Sequence, residues 1–173
     1  GGFMKRAFWL LPGLMVTMAL GLGAQEQQGK KDALEPLIFL AGTWHGEGKG
    51  PYGAYEFETH VERRGRWLLL TSNVFVPGTD RLMFVSTQIY GYDNKGLVLH
   101  LFDTAGAFLF RGEPTTDGAR FAWKGADNWK RLELDLRRDG SVRSRYDAHE
   151  PAMFKEPVTF EGIWLPGKRA AKE

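Results

Sequence analysis

The chain of 173 residues contains no cysteine. This absence excludes disulfide bonds, thiolate metal sites and a cysteine nucleophile from the sequence. The net charge is also small, because the chain has 23 Lys and Arg residues and 21 Asp and Glu residues. Proteins that bind nucleic acid usually carry a strongly basic surface, so we expect no nucleic-acid partner. With 43% hydrophobic and 25% charged residues, the composition is that of an ordinary folded domain.

The N-terminal segment differs from the rest of the chain. Its basic start at Met4–Arg6 is followed by residues 7–22, which carry no charge, and small residues then precede the polar run from Gln25. This order predicts a secretory signal peptide over residues 1–24 and an exported protein, periplasmic or extracellular. Residues 1–3 resemble a cloning remnant. An uncleaved anchor is the alternative, but the apolar run is shorter than the roughly 20 residues that span a bilayer.

Beyond the signal peptide the sequence predicts one domain without a membrane span. Residues 1–24 hold two bases and no acid, which leaves 21 charged residues of each sign in the remainder. We expect a flexible polar leader over 25–33, a folded domain over 34–167 and a solvated charged tail over 168–173. Monomer and homodimer are both open at this point.

Apolar and polar residues alternate with a period of two through most of the chain. The alternation is clear over 55–62, 131–137 and 142–149, and it is typical of strands with one face toward a core and one toward water. Turn-forming residues separate the runs at short intervals, which favours an antiparallel meander. The predicted strands are 41–50, 53–64, 66–76, 81–92, 97–103, 107–112, 119–125, 129–137, 141–149 and 157–165.

A short helix is predicted ahead of the strands, because Asp32 can cap it, Pro36 fits its first turn and Gly42 ends it. The aromatic content of 13% and the 22 glycines favour β structure with tight turns. Ten consecutive antiparallel strands most economically close into an all-β up-and-down barrel, since closure leaves no exposed edge. A β-sandwich of two sheets is the alternative.

The segment after the predicted helix resembles the opening of lipocalin-like (calycin) barrels. Gly42-Thr43-Trp44 forms a G-x-W motif, and the run 39–48 is similar to the opening of nitrobindins and of a family of small secreted bacterial calycin-like proteins of unknown function. Residues 91–93 and 102–103 also resemble that second family. The resemblance implies a barrel with a lumen whose closed end is plugged by Trp44.

Nitrobindins bind haem through a His on a late strand, so the resemblance implies haem as an alternative cofactor. The late strand predicted over 157–165 holds Trp164 but no His, and His149 lies on the polar face of the preceding strand. We therefore expect no cofactor. The other histidines, His45, His60 and His100, lie on further strands without metal-ligand spacing, so no metal site is expected either.

The sequence contains no recognisable catalytic motif. Glu56, Glu58 and Glu62 share the polar face of one predicted strand, where a solvated position is favoured over paired-carboxylate chemistry. The glycines at 46, 48 and 50 lack phosphate-loop spacing and predict a bent strand edge. We therefore expect no catalytic residues and a binding protein rather than an enzyme.

Aromatic residues come from most of the predicted strands, and several lie on the phase that faces the barrel interior. Hydroxyl and amide groups on that phase, including Gln88, would add hydrogen bonds to an apolar wall, as in small-molecule pockets. We predict a protein that binds a small hydrophobic or amphipathic molecule in the lumen. The alternatives are a nitrobindin-like haem or metal protein and a filled barrel that acts through its surface in the cell envelope. The predicted ligand-binding residues are Trp44, Tyr55, Phe57, Thr59, Trp67, Tyr90, Trp123, Ser144, Tyr146 and Trp164.

Overall fold

The computed structural model describes residues 34–103, 106–152 and 154–170, apart from the side chain at position 103. The predicted signal peptide, the leader and the last residues of the tail lie outside this range. A 3₁₀ helix, Glu35–Leu40, precedes ten strands. No helix of the described ranges is both long and apolar enough to cross a membrane. The strands are β1 (Gly42–Gly50), β2 (Gly53–Arg64), β3 (Trp67–Phe75), β4 (Leu82–Asp93), β5 (Gly96–Asp103), β6 (Gly106–Pro114), β7 (Gly118–Lys124), β8 (Trp129–Leu136), β9 (Val142–His149) and β10 (Val158–Pro166).

The ten strands form one closed antiparallel barrel. Each strand pairs with its neighbours in sequence, and β1 pairs with β10 to close the sheet, with Gly46 opposite Trp164. The predicted all-β barrel is confirmed, and the two-sheet sandwich is wrong. The register follows the alternation in the sequence, so the apolar phase of β2, Tyr55 to Val61, faces inward while the glutamates between them face outward.

Tight turns connect consecutive strands and require glycine at particular positions. Gly65, between β2 and β3, has φ of 59°, and Gly96, the first residue of β5, has φ of 122°. Both values lie where a side chain strains the backbone. The glycine-marked turns of the sequence therefore alternate between the two ends of the barrel and keep every strand antiparallel to the next.

One end of the barrel is closed by the 3₁₀ helix. Leu37 and Leu40 of the helix are fully buried, and so is Leu34 just before it. The indole Nε1 of Trp44 donates a hydrogen bond of 2.7 Å to the Leu40 carbonyl, which has no partner within the helix. With 6% of its surface exposed, Trp44 agrees with the plug that the calycin resemblance implies.

The half of the barrel next to the helix is filled with side chains. Tyr90 and Phe121 meet edge to face with ring centroids 5.3 Å apart, and both are buried. Leucines of β3 and β5 complete the packing, among them Leu68 and Leu70 with no exposed surface and Leu97 with 2%. Because this half is filled, any lumen is confined to the other half, and its floor lies near the middle of the barrel.

The segment after β10 differs from the solvated tail expected from its charge. The Arg169 side chain is 9% exposed; its Nε lies 3.0 Å from Glu56 Oε2 and its Nη1 2.5 Å from Asp80 Oδ1. Its guanidinium also lies over the Phe75 ring, 4.3 Å from the centroid. Because Glu56 precedes Arg169 by 113 residues, no local sequence pattern predicts this contact. The end of the described chain is therefore fastened across β2, β3 and the β3–β4 turn.

Candidate functional site

The half of the barrel away from the helix contains a cavity of about 260 Å³. Inward side chains of β2 to β6 and β8 to β10 form its wall, and Gly50 and the β1–β2 turn lie at its mouth. Every residue that the structure places on this wall is uncharged. The arrangement is that of a small-molecule pocket: an apolar concave wall with a few polar groups.

The glycines of β1 make room for the aromatic part of the wall. A Cβ atom at Gly48 would lie 2.2 Å from the Tyr55 ring, and one at Gly50 would lie 2.5 Å from the Phe160 ring. At Gly46 it would lie 1.9 Å from the backbone oxygen of Ile163. The rings of β2 and β10 therefore lie directly over the backbone of β1, which a side chain at these positions would prevent.

Aromatic rings form one side of the cavity and part of its floor. The rings of Phe57 and Trp164 meet edge to face at 5.6 Å, and Tyr146 and Phe160 are 6.0 Å apart. Trp164 Nε1 donates a 2.9 Å hydrogen bond to Ser144 Oγ, so this buried indole is satisfied without a ligand. These rings present a large apolar surface in a fixed orientation.

Polar side chains form the neighbouring part of the wall. Thr59, Ser72 and Ser86 are direct cross-strand neighbours on β2, β3 and β4. The hydroxyls of Thr59 and Ser72 are 2.7 Å apart and hydrogen-bonded. Gln88 lies one inward position further toward the closed end, and its Oε1 accepts a hydrogen bond from the Tyr90 hydroxyl. We call Thr59, Ser72, Ser86 and Gln88 the polar row.

Tyr55 and Tyr90, two of the tyrosines at or next to the cavity, remain protonated at physiological pH. Burial raises the pKa of Tyr90 far above its ordinary value. Burial, assisted by the negative charge of Glu161, raises the pKa of Tyr55 to about 12. The Tyr55 hydroxyl donates to the Glu161 carbonyl at 3.2 Å. Both groups therefore act as neutral hydrogen-bond donors, not as bases.

The mouth of the cavity is bordered by apolar residues. Tyr52 of the β1–β2 turn is 74% exposed, and its ring lies 6.0 Å from that of Phe154 in the β9–β10 loop. Met83 and Phe84 at the start of β4 are also exposed and line the cavity. An apolar ligand would therefore meet apolar surface on entering.

A buried ion pair lies beside the cavity. Lys130 is on the inward phase of β8, opposite Trp123 of β7, and its Nζ pairs with Glu150 Oε1 at the end of β9. The ammonium also lies 3.8 Å from the centroid of the Phe108 ring. The pair ties the start of the β9–β10 loop to the barrel interior.

The structure brings six of the ten predicted ligand-binding residues together on the cavity wall. Of the others, Trp44 lies below the floor and Tyr90 approaches the cavity only through Gln88. Trp123 faces inward but packs on Phe108, at 5.3 Å, and is not on the wall. The six that line the cavity are Tyr55, Phe57, Thr59, Ser144, Tyr146 and Trp164.

Trp67 was predicted to bind the ligand, which requires it to face the barrel interior. In the structure it lies on the outer surface of the barrel. Its ring covers Gly91, where a Cβ atom would lie 1.8 Å from it, and meets the ring of His100 at 6.4 Å. The inward residues of β3 begin with Leu68. Both phases of this strand begin with large apolar residues, so alternation does not define the inward one.

The sequence pattern did not predict Ser72 and Ser86 as wall residues or Lys130 as an inward charge. In β4 polar residues occupy both phases, so its own pattern does not reveal that Ser86 faces inward. Lys130 shares its phase with Leu132 and Leu134. This shared phase indicates that Lys130 faces inward. Nothing in the local sequence identifies Glu150 as the partner of Lys130.

The cavity wall does not fit the His-ligated haem that the nitrobindin resemblance implies. All four histidines lie on the outward phase of their strands. His45 Nδ1 is 3.2 Å from the Gly167 carbonyl oxygen, His60 Nδ1 is 3.2 Å from Thr43 Oγ1, and His149 lies beside Trp129. Within the described ranges no three His, Asp or Glu residues converge in a way that could hold a metal ion.

The fold and cavity define the chain as a closed ten-stranded antiparallel barrel with a hollow half. No family model matches the sequence, and no curated protein matches it. Among solved structures it is similar to Rv2717c from M. tuberculosis, with a TM-score of 0.58 and 16% sequence identity. The match covers 79% of this chain and 98% of that one. At this identity the likeness concerns the barrel fold alone.

Proposed function

We propose that this protein binds a small hydrophobic or amphipathic molecule in the hollow half of its barrel, without covalent chemistry. The observation that carries the proposal is the cavity of about 260 Å³ with an aromatic wall. For comparison, an apolar cavity of about 150 Å³ engineered in another protein admits benzene. A ligand with two or more fused or linked rings therefore suits the space.

The expected affinity follows from the apolar surface that such a ligand buries. Burying about 200 Å² of ligand surface contributes about 5 kcal/mol at about 25 cal/mol per Å², before ordering costs. Edge-to-face contacts with rings such as Phe57 and Trp164 contribute about 0.5–1.5 kcal/mol each. With two such contacts the sum is about 6–8 kcal/mol before ordering costs, so we expect a dissociation constant no tighter than micromolar.

Binding is testable with N-phenyl-1-naphthylamine, an uncharged fluorophore whose emission rises in an apolar environment. We expect saturable binding of one probe per chain to delipidated protein. Leu132→Trp should weaken it by about tenfold or more, because the larger side chain occupies cavity volume. Glu58→Gln, on the outer face of β2, serves as the matched control and should leave the titration unchanged. Absence of saturable binding to the wild-type protein would contradict the proposal.

We also propose that the protein is exported. The basic start, the uncharged run and the small residues that follow within residues 1–24 support this proposal. After expression of the full sequence in a bacterial host, the protein recovered outside the cytoplasm should have lost roughly its first 24 residues, as intact mass spectrometry would show. Full-length protein retained in the cytoplasm or membrane fraction would argue against export.

A further inference from the structure

We infer that the ligand of this cavity is an uncharged molecule with a hydrogen-bond acceptor, such as a ketone, ester or amide carbonyl, held by Ser86 and Gln88. This inference rests on the proposed binding in the lumen and specifies the chemical class of the ligand. Three features of the cavity support it: a hydroxyl left for a ligand, an oriented amide and a wall that disfavours charge.

Ser86 of the polar row offers its hydroxyl to a ligand. Thr59 and Ser72 hydrogen-bond to each other at 2.7 Å. Ser86, their neighbour across β3 and β4, lines the cavity, and its hydroxyl has no hydrogen-bond partner among the described residues. Because Ser86 lines the cavity, an acceptor atom of a ligand there would receive a hydrogen bond from this hydroxyl.

Tyr90, on the closed-end side of Gln88, orients the Gln88 side chain. The Tyr90 hydroxyl donates to Gln88 Oε1, and because burial raises the pKa of Tyr90, that hydroxyl keeps its proton. Since this bond engages the carbonyl oxygen of the amide, the Gln88 NH2 group, with two donors, is the part left to face the cavity. Gln88 and Ser86 are two residues apart on one strand, so both lie on the same wall. The wall therefore offers donors, which select for an acceptor on the ligand.

The remaining wall disfavours a charged ligand. The residues that the structure places on it are uncharged, and most are aromatic or aliphatic. A carboxylate or ammonium that leaves water for such a wall loses hydration that one hydroxyl and one amide do not replace. A neutral carbonyl loses far less hydration and gains the two donors, so selectivity for uncharged acceptors follows.

Three naphthalenes of matched shape test the inference by isothermal titration calorimetry on the whole protein. They are 2-acetylnaphthalene, 2-isopropenylnaphthalene, in which a CH2 group replaces the carbonyl oxygen, and 2-naphthoate at pH 8. We expect the ketone to bind about tenfold more tightly than the alkene, because two hydrogen bonds are gained. We expect the carboxylate to bind at least about tenfold more weakly than the ketone.

Two variants assign the selectivity to the polar row. Ser86→Ala and Gln88→Met should each weaken ketone binding about fivefold and leave alkene binding unchanged. Ser86→Ala disturbs no other bond among the described residues, so it keeps the test valid if Gln88→Met lowers stability by leaving Tyr90 without its acceptor. Thr87→Val, on the outward phase between these two positions, is the control and should change neither affinity.

The outcomes separate this inference from the proposed function. If ketone and alkene bind equally, or the carboxylate binds best, the inference is overturned although binding in the lumen stands. Ketone selectivity that survives both variants also overturns the assignment to Ser86 and Gln88. If none of the three compounds binds and the uncharged fluorophore also fails, the proposed function itself is wrong.

Discussion

Replacement of Trp44 with alanine is expected to lower the free energy of unfolding by about 3–5 kcal/mol. The side chain is 6% exposed and its ring meets that of Trp164 at 6.5 Å, so truncation leaves a void between the helix and the barrel floor. The substitution also removes the hydrogen bond from Nε1 to the Leu40 carbonyl, a direct side-chain link between the helix and β1. Such a loss is a large share of the roughly 5–15 kcal/mol that stabilises a domain of this size.

Chemical denaturation monitored by circular dichroism measures this effect. Trp44→Phe keeps most of the packing and loses only the hydrogen bond, so we expect a loss of about 1–2 kcal/mol. Tyr52→Ala, at a position that is 74% exposed, is the control and should change the midpoint little. A Trp44→Ala protein with an unchanged midpoint would mean that this residue does not close the barrel.

Glu150→Gln is expected to destabilise the fold by about 3–5 kcal/mol, the usual cost of removing one member of a buried ion pair. The Lys130 side chain is 3% exposed, so its ammonium cannot turn to water without opening the barrel. The contact with the Phe108 ring compensates only part of the loss, since cation–π attraction contributes about 2 kcal/mol even where it is desolvated. The same change should loosen the start of the β9–β10 loop.

The double variant Lys130→Met, Glu150→Gln tests this explanation. It removes both charges and fills the space with a flexible apolar chain, so we expect it to be more stable than Glu150→Gln alone. Glu133→Gln is the control: it breaks an exposed pair with Arg120, 3.3 Å long, and should cost less than about 1 kcal/mol. A double variant no more stable than the single one would show that the pair is not the source of the loss.

The fold was predictable because the alternation of β2, β8 and β9 is a local property of the sequence. A strand with one buried face shows its phase in every second residue, and glycine-rich turns mark where it ends. The short helix was also predictable, since Pro36 lies in its first turn and Gly42 follows its end. It is 3₁₀ rather than α, however, and its N-cap is Leu34, without the side-chain cap that was predicted at Asp32, which lies outside the described residues.

The candidate site was only partly predictable, because its wall depends on long-range pairing. Tyr55, Phe57 and Tyr146 lie on strands with clean alternation, and the cavity contains all three. Trp67 lies on a strand whose first residues are apolar on both phases, and it faces outward. Ser86 joins the polar row through its pairing with Ser72 of β3, and no local pattern in the sequence reveals that pairing.

The division of the barrel into a solid half and a hollow half has a consequence for how the protein tolerates change. Side chains of the solid half touch neighbours on every side, so a substitution there disturbs packing that holds the sheet closed. Side chains such as Leu101 on the cavity wall face space on one side, and a change of size there need not displace a neighbour. Mutational drift, or deliberate redesign, can therefore retune what the lumen admits while the scaffold stays intact.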